Sequence, residues 1–225
     1  METLLLLHGW GGDECSFAPI LPSLLKKFNC LAPAMPMFKK GECSATNAWT
    51  LEDYADYVEN YLDQLNVKKC HILAHSFGCR VTILLALRNP DRYEKFLFTG
   101  AAGIKPRRSV RIRMKILWNK FMRKIGGKKD RGSADYRALS DTGKLTFQNV
   151  LRRDLSKEIS LVQNETLLLF GKHDKATPPW MGRKWKNLSP NAKLVIYNKS
   201  GHFAYIDEKN RFISDAVLYF LRKGG

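Results

Sequence analysis

No stretch of this chain approaches the ~20 consecutive apolar residues that a membrane-spanning helix needs, and its start lacks the basic n-region of a secretory signal. Acidic residues are scarce beside basic ones: 21 Asp and Glu stand against 38 Lys and Arg, for a formal net charge of +17. Cysteine is sparse as well. The five present, Cys15, Cys30, Cys43, Cys70 and Cys79, are dispersed without metal-ligand spacing, which leaves no candidate metal centre. An odd, scattered set without a leader fits reduced thiols. The expected setting is therefore cytoplasmic, with Cys70 and Cys79 packed in the core. No internal repeat or low-complexity tract is present, so no repeat architecture is expected.

What the chain does have is material for one compact core: 44% of its 225 residues are hydrophobic. Short apolar runs alternate with amphipathic stretches. The runs predict strands over residues 3–7, 29–32, 70–75, 94–99, 166–170 and 194–197. The stretches predict helices over 17–27, 51–65, 77–88, 180–188 and 207–222. Residues Leu51, Tyr54, Ala55, Val58, Tyr61, Leu62 and Leu65 form one helical stripe, which is a core face. This alternation predicts an α/β fold, a mostly parallel sheet with helices on both faces.

Four strand ends carry chemistry. The strand into Ala74-His75-Ser76-Phe77-Gly78 runs straight into a helix, a sharp turn that lifts the Ser76 hydroxyl out of regular structure. Residues 4–7 lead into His8-Gly9-Trp10-Gly11-Gly12, whose glycines let a substrate approach the backbone closely. The amides of Trp10 and Phe77 are candidates to hold an oxyanion. Near the other end, residues 166–170 lead to Gly171-Lys172-His173-Asp174, and 193–197 lead to Ser200-Gly201-His202-Phe203. Ser76, Asp174 and His202 each follow a strand at its C-terminal end, the edge where open α/β sheets bind ligands.

With these four motifs in this order, the chain resembles the α/β-hydrolases of the lid-bearing esterase type over nearly its whole length. The resemblance implies Ser76 as nucleophile, His202 as general base, Asp174 as the group that orients the imidazole, and the Trp10 and Phe77 amides as oxyanion hole. It implies no metal and no cofactor, because an activated serine needs neither. The chain departs from the family pattern at Ala74 in place of the first glycine, at Cys79 where a second glycine is frequent, and over residues 34–40. It also begins almost at the first glycine turn, which predicts a sheet shortened at one edge.

Residues 103–164 break the strand–helix alternation where the family inserts a helical lid before the strand carrying the acid. Residues 1–102 and 165–225 are then the core. Within residues 105–131, twelve Lys or Arg accompany one acid, Asp130, a local charge of +11. Val110, Met114, Leu117, Phe121 and Ile125 make one apolar stripe on a basic helix, and residues 136–154 read as further lid helices. Such a lid is a solvated cover, a docking surface for an acidic carrier such as an acyl carrier protein, or an attachment to an anionic membrane surface. Nucleic acid is not expected, for want of a stacking platform. The expected activity is cleavage of an ester or thioester, free or linked to an acyl carrier or lipid-like. The alternative is a catalytically silent hydrolase-fold protein that binds a small ligand or an anionic membrane surface.

Other histidines and acids carry structural expectations. His8 hydrogen-bonds locally, His75 shapes the elbow, and His173 supports the acid turn. His71 and His75 lie four apart on a strand and do not form a metal pair. Asp141, Asp154 and Asp207 rival Asp174 as the acid, but only Asp174 follows a strand and glycine turn.

Overall fold

Five-residue apolar β1 (Thr3–Leu7) pairs with β2 (Asn29–Leu31) on one side and with β3 (Cys70–His75) on the other. Then follow β4 (Tyr93–Thr99), β5 (Thr166–Gly171) and β6 (Ala192–Tyr197), giving a six-stranded sheet in the order β2-β1-β3-β4-β5-β6. All its pairings are parallel. These relations come from a computed structural model that describes residues 1–36, 47–105 and 139–222. The expected sheet is mostly parallel; the described one is wholly so.

A parallel sheet is buried on both faces, and the strands show it. Side chains alternate along each strand. Leu5, Leu7, Ile72, Ala74, Phe96, Phe98, Leu168 and Phe170 enter one core cluster. There they meet α2 (Leu51–Gln64), α3 (Phe77–Arg88) and α6 (Pro179–Leu188) through Tyr54, Val58, Leu85 and Trp185. Leu4, Leu6, Leu73, Leu97 and Leu169 enter the other cluster, against Phe212, Ala216 and Phe220 of α8 (Lys209–Leu221). Residues Leu4, Leu5, Leu6 and Leu7 are at most 1% exposed, each contributing about 1.5–3 kcal/mol by burial. A slip of one residue would exchange the two faces.

Local chemistry sets the helix ends. Thr50 and Asp53 form a capping box at the start of α2: the Asp53 N–H donates to Thr50 Oγ1 at 3.3 Å, and the Thr50 N–H donates to Asp53 Oδ2 at 2.6 Å. The stripe predicted over 51–65 forms the buried face of α2, with Leu51, Tyr54, Ala55, Val58 and Leu62 inward and Leu65 exposed at its end. The helix expected over 17–27 is instead a 3₁₀ turn (Glu14–Phe17) followed by short α1 (Leu21–Leu24). Pro19 and Pro22 lack the N–H groups a continuous helix requires there. The helix expected over 207–222 is α8; a short α7 (Ala204–Asp207) precedes it, set apart by Glu208, which leaves helical geometry at φ −121° and ψ 50°.

Within the stretch read as a lid, α4 (Asp141–Arg152) and α5 (Ser156–Leu161) are helical. The basic stripe, residues 106–138, lies outside the described residues, as do residues 37–46. Among the described residues no helix is long and apolar enough to cross a membrane.

The topology also fixes where the motifs meet. After β1 the chain moves outward to β2, then crosses back over β1 to β3, so the strand order reverses between β1 and β3. At such a switch point the connections diverge and leave a crevice at the carboxyl ends of the strands. The glycine turn after β1 and the serine turn after β3 both open onto it.

Candidate active site

Ser76 stands between β3 and α3 with φ 49° and ψ −104°, a left-handed backbone that costs a non-glycine residue about 1–3 kcal/mol. Neighbouring backbone holds it there. The Ser76 N–H donates to Thr99 O at 3.0 Å, and its carbonyl accepts from the N–H groups of Cys79 and Ala102, each at 3.2 Å. Although Ser76 caps α3, its hydroxyl makes no capping hydrogen bond. Tight packing makes the turn possible: a Cβ on Gly78 would sit 2.3 Å from Leu7 O, so only glycine lets α3 lie against β1. Ala74, in place of the usual glycine, puts its methyl group into the core beside Leu7 and Phe98. The turn closes without that glycine. Cys79 is buried, and burial pushes its thiol well above the ordinary value; it is no rival nucleophile.

Asp174 and His202 come together at the ends of β5 and β6. His202 Nδ1 donates to Asp174 Oδ2 at 2.7 Å. The carboxylate also accepts from the N–H groups of Ala176 and Thr177 and from Thr177 Oγ1, all at 2.8 Å. Its side chain is fully buried. Burial alone would raise its pKa, but the His202 contact and the Thr177 donors outweigh that and hold it below the ordinary value. Gly171 permits the approach of the two loops, since a Cβ there would meet Gly201 O at 2.0 Å.

Around His202 lies a shell of positioning groups that sequence reasoning left out or described too locally. Buried His75 donates from Nε2 to the His202 carbonyl at 3.1 Å, and the two rings lie 4.7 Å apart. Burial first, then the neighbouring His202, holds the His75 pKa down to about 3, so it is neutral. Asp207 accepts from the Gly201 N–H at 2.7 Å, while Glu208 accepts from Lys199 N and Ser200 Oγ, each at 2.9 Å. The Asp-x-x-Thr spacing of Asp174 and Thr177 was the available signal, because a short acid commonly accepts from backbone a few residues on. His8 reaches further than expected: Nδ1 donates to Gly9 O at 2.9 Å and Nε2 accepts from the Met35 N–H, 27 residues away, at 3.0 Å. Exposed His173 donates only its backbone N–H to Ser200 O, and His71 lies at the opposite end of β3, near Glu2. Asp141 contacts Lys144, and Asp154 accepts from Lys105 N and Ser156 N. Of the four candidate acids, only Asp174 reaches His202.

Ser76 opens onto a cavity of about 250 Å³ lined largely by apolar groups, including Trp10, Phe77, Ile104, Phe147, Val150 and Met181, with Arg80 and Thr177. Trp10 packs edge-on against Phe77 at 5.3 Å and tilted against Phe147 of α4 at 5.0 Å. Neither the Trp10 nor the Phe77 backbone N–H donates to a protein acceptor among the described residues. The Phe77 N–H begins α3, where the helix dipole favours developing negative charge. Thr177 belongs both to the cavity wall and to the Asp174 network, which joins the two halves of the site. Among the described residues no hydrogen bond joins Ser76 Oγ to His202; such contacts commonly tighten only when substrate is bound.

Comparison with known proteins agrees with the fold. The chain is 24% identical over 247 residues to the uncharacterized hydrolase YugF of Bacillus subtilis (strain 168), covering 98% of this chain and 90% of that protein. It is 22% identical to the 2-hydroxymuconate semialdehyde hydrolase of Pseudomonas sp. (strain CF600), covering 94% and 84%. Among solved structures, a hydrolase from Pseudomonas aeruginosa PA01 is similar with a TM-score of 0.76 at 20% identity, covering 99% of this chain and 90% of that one. The enol-lactonase from Burkholderia xenovorans LB400 is similar with a TM-score of 0.75 at 21% identity, covering 98% and 92%. A profile described as TAP-like protein matches residues 145–225. The alpha/beta hydrolase fold profile matches residues 2–142, and the chain belongs to that family.

Proposed function

We propose that this α/β hydrolase is a serine esterase acting through Ser76, His202 and Asp174. The observations that carry the reading are a hydroxyl left unspent on a strained turn and an imidazole oriented by a buried carboxylate. Ser76 Oγ attacks the ester carbonyl and passes its proton to His202 Nε2. The Trp10 and Phe77 amides receive the oxyanion, each donor contributing about 3 kcal/mol. Collapse of the tetrahedral adduct expels the alcohol, which takes its proton from His202 and leaves an acyl-Ser76. His202 then draws a proton from water, the hydroxide attacks the acyl carbon, and the acid departs as Ser76 regains its proton. Asp174 stays ionised and steadies the imidazolium.

Residues 103–164 serve as the lid, with Phe147 and Val150 of α4 supplying its inner surface at the cavity. An apolar cavity of this size suits a short acyl group, attached to a free alcohol or to a carrier. We place the activity in the cytoplasm. The names of the relatives widen the set of leaving groups to try, since they include a carbamate hydrolase and an enol-lactonase.

Hydrolysis of a p-nitrophenyl ester series, wild type beside Ser76→Ala, tests the reading. Turnover that vanishes in the variant supports it. Equal turnover in both refutes it. No turnover with no labelling by a fluorophosphonate makes the chain a binding protein of hydrolase fold.

A further inference from the structure

Arg80 is the one charged residue among the described residues lining the cavity at Ser76. It lies on the first turn of α3, four residues after Ser76, and lines the same cavity. The residue is 4% exposed. A guanidinium so deeply buried requires strong compensation, and what it has is partial. Nη1 donates to the carbonyls of Val150 at 3.1 Å and Arg153 at 2.9 Å, at the C-terminal end of α4. Nε is buried with no partner. Neither hydrogen bond goes to a carboxylate. The nearby Asp154 offsets part of the burial through its charge, while its oxygens accept from the N–H groups of Lys105 and Ser156. Burial lowers the Arg80 pKa only to about 10, so the charge is present at neutral pH.

Capping α4 alone would not require a cation on the wall of the cavity where the acyl group binds. We infer that Arg80 receives a carboxylate carried by the acyl portion of the substrate, so that the preferred substrates are short monoesters of dicarboxylic acids. This inference rests on the assignment of Ser76 as an ester-cleaving nucleophile. The apolar wall around Arg80 accepts the methylene chain, while the anion adds to the countercharge that Asp154 supplies. Arg80 takes no part in proton transfer; it positions the distal end of the acyl group and thereby sets specificity.

The test compares kcat/KM for monomethyl glutarate and monomethyl adipate with kcat/KM for methyl butyrate and methyl hexanoate, in wild type, Arg80→Gln and Arg80→Lys. The expected wild-type ratio favours the acid-bearing ester by about 30-fold, the effect of one charge-assisted hydrogen bond. That ratio collapses toward one in Arg80→Gln and is partly kept in Arg80→Lys, with the change carried by KM. A wild-type ratio near one, or a ratio unmoved by Arg80→Gln, overturns the inference and leaves Arg80 as a strut for α4. Thermal denaturation with glutarate or butyramide separates this outcome from failure of the esterase reading. Stabilisation of wild type by glutarate alone, lost in Arg80→Gln, supports the anion site even if no ester is cleaved. No stabilisation by glutarate overturns it even if esters are cleaved.

Discussion

The two halves of the site are built on opposite principles. Around Asp174 and His202 the polar groups are densely committed: four donors converge on one carboxylate, and His75, Asp207 and Glu208 hold the His202 loop. Around Ser76 the polar groups are free. Its hydroxyl caps nothing, the Trp10 and Phe77 N–H groups have no protein acceptor among the described residues, and Arg80 Nε is unpaired. On the proposed reading His202 is a base that must be held in one orientation before the reaction, so it is locked by hydrogen bonds. A nucleophile and its oxyanion donors must be available to the substrate, so they are held by backbone geometry instead.

The largest expected effect comes from the free half. Ser76→Ala lowers kcat by on the order of 10⁶-fold while circular dichroism and melting temperature stay near wild type. In the locked half, Asp174→Asn lowers kcat by about 10⁴-fold with little change in KM, because the imidazole loses its orientation and its countercharge. Equal effects on KM would mean that Asp174 serves the cavity rather than the base. Gly78→Ala challenges the backbone support of the nucleophile: with Leu7 O at 2.3 Å from the new methyl group, stability falls by about 3 kcal/mol in urea denaturation.

Smaller effects sharpen the contrast. His75 is held neutral down to about 3, first by burial and then by His202, whereas in the unfolded chain it titrates near 6.5. Its contribution is therefore intact above pH of about 6.5 and is lost on acidification toward 3, by about 1.4 kcal/mol per pH unit. Urea denaturation across that range measures the slope, and His75→Gln should flatten it. Asp174, held below its ordinary value by His202 and the Thr177 donors, adds a loss of the same sign that begins once the pH falls below the ordinary carboxylate range. Thr177→Val removes one donor from the carboxylate and lowers kcat about tenfold, with KM for small esters unchanged within about twofold.

Much of the fold is legible in the sequence alone. Strand positions followed from apolar runs, and α3 from Asn89-Pro90 at its end; Ser76, Asp174 and His202 stood out because each follows a strand at the same sheet edge. What was not legible depends on long-range contact. His75 pointing at His202 O spans 127 residues, and Arg80 meeting the end of α4 spans 70 and 73; no periodicity within a helix or strand encodes either. Apolar spacing alone predicts a helix over 17–27, which Pro19 and Pro22 interrupt. The break between α7 and α8 turns on Glu208, whose commitment to Lys199 and Ser200 appears only once the loop is folded.

One measurement addresses the central claim most directly: mass-spectrometric mapping of the adduct formed by a fluorophosphonate with the whole protein at neutral pH, in wild type and in Asp174→Asn. The expected result is a single adduct on Ser76 in wild type, formed several orders of magnitude more slowly in Asp174→Asn. An adduct on any other residue, or one on Ser76 whose rate ignores Asp174, would contradict the division of labour between a locked base and a free nucleophile.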